Sequence, residues 1–341
     1  MVVRKRRTDK KLEFSQSLIR NFRRCEQLYH YRYVEKIKSR RPKIQLIRGT
    51  IIGECLNAVV DERHEKDAKP WQQTLEKFRK QYGNLFKEER EEYGDLIGDC
   101  EKIVTKYVEH YKNDWMEYLP GKDGKRYELE VRLDLDARSE FVGHIDKMPR
   151  DKHGRIWDQD HKTHRNIPDA EARYADIQQV FYVWAAPLSG YPKLNGILWD
   201  YLRTKPPAIP ELLKNGQLSK RKNIDTDWET YEAEIHKHGL NPADYDDMRE
   251  LLEPRGNSNY LQRVPLPSPP KELIERVVAD ARATIEIIHH RRGKPPIRSI
   301  DFECKGCEFY RLCQEEYRGV DSSFLRKSEY EINKEPRHDH S

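Results

Sequence analysis

Apolar positions recur with two different periods along this chain, and the change of period marks its architecture. From Phe14 to Lys36, the residues Leu18, Phe22, Cys25, Tyr29 and Tyr33 return every three or four positions. That spacing predicts one amphipathic helix, with Ser15 or Ser17 able to cap its start. Residues 46–62 repeat the helical period and carry Gly49 and Gly53 on one face. Two glycines inside a helix cost about 1 kcal/mol each relative to alanine, so this face predicts tight packing or close approach of another backbone or a ligand. Residues 71–90 and 92–117 predict two further helices, rich in charge. The period then drops to two. Residues 127–137, YELEVRLDLDA, alternate as a half-buried strand does. FVGHIDKM and RIWDQDHKT flank a turn signal, Pro149 to Gly154, and predict a hairpin with a longer loop. Residues 169–187 predict a helix with Asp169 at its N-cap, and residues 194–203 another strand. Two short helices are expected near 226–238 and 242–252, then a stiff connector from Pro265 to Pro270. Residues 271–292 predict a clean amphipathic helix with Ile274, Val277, Val278, Ala281, Ile285 and Ile288 on one side. Strand, strand, strand, helix, strand is the order of an α/β fold with a mixed central sheet and helices on both faces. No internal repeat is found.

Composition narrows the class. The 341 residues allow two domains or one elaborated domain. Charged and hydrophobic residues each make up 36%, but the apolar ones cluster, so a core is available. The net charge of +5 is a weak footprint, so nucleic-acid binding would need a local basic groove. The run Arg4 to Arg7 reads as a disordered basic tail. No apolar run approaches a membrane span, and MVVRKRRTDKK lacks the apolar core of a signal peptide. A soluble cytoplasmic protein without membrane contact is expected. Disulfides are then a poor explanation for the six cysteines. Cys304, Cys307 and Cys313 form C-x2-C-x5-C, a metal or cluster spacing. Cys25 taken alone reads as a small hydrophobe on a buried stripe, and Cys55 and Cys100 as plain buried thiols.

Alternation along a strand turns Asp158, Asp160 and Lys162 to the same side, and Asp146 on the partner strand reaches the same spot. Carboxylates and an ammonium converging at a strand end are costly unless a cation or an anionic substrate sits between them. A hard divalent cation, Mg2+ or Mn2+, completed by a phosphate oxygen resolves the repulsion, and that is phosphodiester chemistry. On the next helix Gln178 and Tyr182 are spaced i, i+4 and share a face.

Asp146 followed by Asp160-x-Lys162 across a hairpin resembles the catalytic core of the PD-(D/E)xK nucleases. G-H-I-D at 143–146 resembles the Gly-x-x-Asp of their RecB-like branch, and Gln178-x-x-x-Tyr182 its Q-x-x-x-Y motif. Ser15-x-Ser17-x7-Cys25 together with the C-terminal cysteines resembles the iron–sulfur group within that branch, which includes the AddB nuclease domain and the CRISPR-associated RecB-like exonucleases. The likeness runs from about residue 14 to 317. It leaves 65–120 as a helical insertion and 204–262 as a variable insertion.

The resemblance implies a restriction-endonuclease-like fold with a cysteine-stapled N-/C-terminal subdomain. It implies one nuclease domain over 14–327 with its cluster-binding segment at 300–317, between a basic tail (1–13) and a polar tail (328–341). It implies Asp146, Asp160 and the backbone carbonyl of His161 as metal ligands, Lys162 as the residue that positions the attacking water, and Gln178 and Tyr182 facing the site and the DNA. It also implies a [4Fe-4S] cluster on Cys25, Cys304, Cys307 and Cys313, a staple rather than an electron carrier. Spacing alone does not separate that cluster from zinc on the same thiolates.

The sequence departs from the branch's G-T-x-x-H-E-x-L pattern: GTIIGECL places Gly53 where the histidine is expected. Glu54, His144 or a water is left to fill that role. Tyr182, Trp184, Tyr29, Tyr31 and Tyr33 are stacking candidates for unpaired bases, with core packing the better reading for the last three. The expected activity is a metal-dependent DNA exonuclease acting on single strands or duplex ends, in recombination, repair or phage DNA processing. The alternatives are a catalytically silent iron–sulfur subunit that binds DNA in a helicase or recombination complex, and a zinc-stapled module that docks on a helicase or recombinase.

Overall fold

The change of period at residue 127 is where the central sheet gathers. A computed structural model describes residues 11–114, 116–166, 176–254 and 260–334. In chain order the elements are β1 (Leu12–Phe14), α1 (Gln16–Arg24), α2 (Glu26–Tyr29) with a π-helical turn (His30–Val34), β2 (Ile37–Ser39), α3 (Ile44–His64), α4 (Trp71–Gly83), α5 (Lys87–Tyr93) and α6 (Leu96–His110). There follow β3 (Glu117–Tyr118), β4 (Tyr127–Asp134), β5 (Ser139–Lys147), β6 (Pro149–Arg150), β7 (Trp157–His164), α7 (Ile177–Leu188), β8 (Gly196–Arg203), α8 (Trp228–Lys237) and α9 (Asp246–Leu252). The chain continues through β9 (Leu261–Pro267), α10 (Lys271–Arg291), α11 (Tyr310–Tyr317), α12 (Ser323–Glu329) and β10 (Tyr330–Ile332).

The sheet runs β1, β5, β7, β8, β9, with β4 on the other edge of β5. It is mixed: β4 and β5 are antiparallel, β7 and β8 parallel, β8 and β9 antiparallel. One edge of β5 is shared. Its start takes β1 in parallel, and its end meets β7 at Lys147 and Gln159. Helices cover both faces, as the order of elements predicts. On one face α7 lies against the sheet under α1 and α10, and Phe14, Leu18, Phe141, Phe181, Ala281 and Ile285 close a core. Because α7 is covered on several sides, Val180, Phe181, Tyr182, Val183, Ala185 and Ala186 are all buried. On the other face α3 and α6 pack Ile51, Ile52, Leu56, Ile97 and Val104 against Leu202 and Leu261.

Several expectations are corrected. The helix predicted over 14–36 breaks at Cys25, whose backbone is extended (φ −165°, ψ 121°). Cys25 is half-buried rather than set on a buried helical stripe. The hydrophobic rhythm survives because Phe22, Tyr29 and Tyr33 still reach one core across the break. The N-cap of α7 is Asp176, which accepts from the Gln178 N–H at 2.9 Å; Asp169 lies outside the described residues. The stiff connector is in part strand: Pro265 and Pro267 lie in β9, at the edge of the sheet, where a missing N–H is tolerated. The two tails are not wholly tails. β1 begins at Leu12, and Tyr330–Ile332 pairs antiparallel with Ile37–Ser39.

Candidate active site

The junction of β5 and β7 positions the site. The antiparallel pair Lys147 and Gln159 sets a register that places Asp146 opposite Asp160. The His161 N–H donates to Asp146 Oδ2 at 3.3 Å, tying the two strands through the metal-ligand candidates themselves. Strand alternation then lifts Asp158, Asp160 and Lys162 to one face. Lys162 Nζ stands 2.9 Å from Asp160 Oδ2, and Gln178 Nε2 donates to Asp160 Oδ1 at 2.9 Å. Asp160 is thus gripped from its own strand and from α7. Asp146 is half-buried, which leaves the pair open to solvent on one side.

Tyr182 is buried, and its hydroxyl accepts from the His144 N–H at 3.1 Å. Its ring lies over Gly143: a Cβ there would stand 2.7 Å from Tyr182 Cε1. That close approach explains the glycine of G-H-I-D. Gly143→Ala is expected to lower stability by about 1–3 kcal/mol in urea unfolding, as overpacking does. So buried a Tyr182 offers no ring face to a base; Trp184 is half-buried, Tyr29 and Tyr33 pack on the core, and Tyr31 is buried beneath the cysteines.

Burial dominates the electrostatics. It pushes the Asp160 carboxyl up to about 6; the Lys162 ammonium opposes this shift and the Asp146 charge adds to it. Asp158, fully buried, has no hydrogen-bond partner among the described residues for either carboxylate oxygen, and burial together with Asp160 and Asp146 holds its proton well above the usual range. Asp146 and Asp160, with the His161 carbonyl, offer the hard oxygen donors that suit a divalent ion completed by water, while no third carboxylate converges on them among the described residues.

In metal-free protein at pH 7.5, Asp160→Asn is therefore expected to raise stability by about 1–3 kcal/mol. The folded carboxyl keeps its proton up to about 6 while an unshifted one releases it near 3.8, so wild-type stability falls as pH rises through that window. Urea unfolding with a chelator checks the sign, and below the window the advantage of the variant should vanish.

Glu54 is exposed, and its charge is felt at Tyr127. A Cβ at Gly53 would meet nothing within 4 Å, so the place of the expected histidine is open space. Sequence reasoning missed a second polar group on the opposite face of β7, centred on Asp200 and Arg263. The signal was a charged residue in the middle of the apolar strand GILWDYLR.

Cys25, Cys304, Cys307 and Cys313 line one cavity of about 360 Å³. Leu28, Tyr31 and Phe309 line it too, from the small core against which Cys25, Cys307 and Cys313 pack. The Asp301 N–H points at Cys304 Sγ, 3.4 Å away. Burial raises the Cys313 thiol while Arg298 beside it pulls the other way. Among the described residues, no three His, Cys, Asp or Glu side chains converge as a single metal ion requires. Cys55 and Cys100 are fully buried elsewhere, with thiols pushed up to about 12.

A mixed sheet whose central strands bring two aspartates and a lysine to one opening is the framework of a metal-dependent nuclease. Residues 13–314 match the family model of the PD-(D/E)XK nuclease superfamily, and the chain belongs to that superfamily. Membership makes it a nuclease, with DNA as the implied substrate and a divalent metal such as Mg2+ as the usual helper. A solved structure described as "Crystal structure of SSO0001" aligns with 77% of this chain and 83% of its own, at 14% identity and a TM-score of 0.28. No curated protein matches the chain. No helix among the described residues is long and apolar enough to cross a membrane.

Proposed function

We propose that this nuclease is a RecB-like DNA exonuclease of the iron–sulfur type, working in the cytoplasm on single strands or duplex ends during recombination, repair or phage DNA processing. The observation that carries the reading is the register of β5 and β7, which sets Asp146 against Asp160 with Lys162 and Gln178 both on the Asp160 carboxylate. Asp146, Asp160 and the His161 carbonyl hold one or two Mg2+ or Mn2+ ions. An ion held by these residues would supply Lewis acidity toward water and phosphate. Lys162 orients the attacking water and offsets charge developing on the phosphate. Gln178 fixes the Asp160 carboxylate, and Tyr182 fixes the backbone two residues before Asp146. Glu54 is the nearest acidic substitute on α3 for the absent histidine.

Cys25, Cys304, Cys307 and Cys313 carry a [4Fe-4S] cluster that staples the N- and C-terminal segments of one domain spanning 14–327. The four cysteines line one cavity of about 360 Å³, which supports a shared inorganic group there.

End-labelled linear strands and a closed circular single strand, incubated with Mn2+, test the activity. Shortening from the ends with the circle intact supports the exonuclease; cutting of the circle makes it an endonuclease; no digestion of any substrate sinks the reading. A brown protein with four irons per chain supports the cluster. A second reading, a silent iron–sulfur subunit serving a helicase or recombinase, draws on the open space at Gly53. It predicts DNA binding that weakens steeply with salt and no Mn2+-dependent loss of label.

A further inference from the structure

The face of β7 turned away from Asp160 and Lys162 carries Gln159 and His161, and both side chains end on Asp200. His161, Asp200 and Arg263 occupy one row across β7, β8 and β9. Asp200 Oδ2 accepts from Gln159 Nε2 at 2.6 Å, from the Tyr107 hydroxyl at 2.7 Å and from Arg263 Nη2 at 3.0 Å. His161 Nε2 lies 3.3 Å from the same oxygen. Arg263 is held in turn: its Nη1 donates to Asp114 Oδ2 at 2.6 Å, and its guanidinium carbon lies 3.8 Å from the centre of the Tyr111 ring. On β5, Lys147 donates to Asn57 Oδ1 at 2.8 Å and stands 3.5 Å from His161 Nδ1. Every atom in the metal-ligand set therefore has an immediate chain neighbour anchored from behind.

Asp200 is fully buried and Lys147 nearly so. Desolvating that many polar groups gains little stability over apolar residues of the same volume, and a buried network is kept at a net benefit only when its members are well paired. Its effect is on orientation. A metal site tolerates misplacement of only about 0.5 Å or 10–20°, and a strand free to roll about its axis would exceed that. Tying Gln159 and His161 to a single oxygen removes the roll.

We propose that Asp200 is a positioning residue for the metal site: through Gln159 and His161 it sets the rotation of β7 and so aims Asp160, the His161 carbonyl and Lys162 on the opposite face. Tyr107, on α6, and Asp114 just beyond it belong to the stretch expected to be a helical insertion. That stretch thereby braces the catalytic strand as well as covering a face of the sheet. The proposal rests on the metal-dependent nuclease reading.

The test titrates Mn2+ into DNA-free protein by calorimetry and measures cleavage in parallel. Asp200→Asn is expected to weaken Mn2+ binding and lower kcat by about tenfold or more, with KM for DNA nearly unchanged, as loss of a group that orients metal ligands does. Tyr107→Phe removes one hydroxyl, keeps the ring, and should shift Mn2+ affinity the same way by less; it decides the matter if Asp200→Asn fails to melt cooperatively. Wild-type Mn2+ affinity in the folded variants overturns the proposal. Asp160→Ala separates the two levels. If Asp160→Ala loses Mn2+ and the Asp200 and Tyr107 variants do not, positioning alone is wrong. If Asp160→Ala binds Mn2+ like wild type, the metal-site reading falls and takes the positioning role with it.

Discussion

Lys162→Ala is expected to abolish Mn2+-dependent DNA degradation, a loss on the order of 10^3-fold, while circular dichroism reports an intact fold. The size follows from what the ammonium faces. It lies 2.9 Å from Asp160 Oδ2 in a place only 11% exposed, and it stands over the Trp199 ring at 5.9 Å. Take it away and Asp146 and Asp160 lose the cation that opposes their mutual repulsion. The Asp160 carboxyl, already pushed up to about 6, then holds its proton more firmly and competes against metal. The group that orients the attacking water is gone as well. Lys162→Arg keeps the charge but not the reach of a slender ammonium, so it should restore Mn2+ binding more than turnover. Single-turnover assays on an end-labelled strand read the result, with Asp160→Ala as its companion. Persisting cleavage in either alanine variant would show that the chemistry lies elsewhere.

Cys25→Ser is expected to bleach the protein and open the clasp between its ends, leaving the central sheet folded. The proposed cluster on the four cysteines would join residue 25 to residues beyond 300. In the chain-entropy account, a cross-link closing a loop of about 100 residues contributes roughly 4–5 kcal/mol, and a longer loop slightly more. Ion pairs also cross this corner, Arg32 with Glu308 and Arg326 with Glu35, but they are partly exposed and each is worth little. β2 and β10 share three residue pairs, and the core beneath them is small: Leu28, Tyr31, Ile37, Phe309, Leu312, Leu325 and Tyr330. Limited trypsin digestion should therefore cut first within 297–332 in the variant and leave those sites protected in the loaded protein, because local opening follows local contact density. An unchanged colour and an unchanged digestion pattern would remove the staple from the account.

The parts of this molecule legible in the sequence are those with a local signal. Period-two alternation gives β4, β5 and β7, and with them the shared face of Asp158, Asp160 and Lys162. The stripe of Ile274, Val278, Ala281, Ile285 and Ile288 gives α10. What the sequence conceals is decided by distant partners. Cys25 sits in a helix break that hydrophobic spacing runs straight across. β2 and β10 are three residues each, too short and too polar to announce themselves, and exist because they meet. Pro265 and Pro267 argue against a strand until β9 is known to lie at an edge. The Asp200 network draws one or two residues from each of α3, α6, β5, β7, β8 and β9, and no window of sequence contains more than a few of them. Asp158 was visible on the catalytic face but carried no assignment, since only burial reveals that its carboxyl has no partner among the described residues.

The strand pairings also impose an order of assembly on a chain leaving the ribosome. Leu12–Phe14 finds its neighbour as soon as Ser139–Phe141 emerges, whereas Ile37–Ser39 must wait for Tyr330–Ile332. At a synthesis rate of about 5–20 residues per second, that wait is tens of seconds. Through it the first thiol stands alone, so under the proposed cluster reading the loading of iron and sulfide would fall after translation of the nuclease sheet.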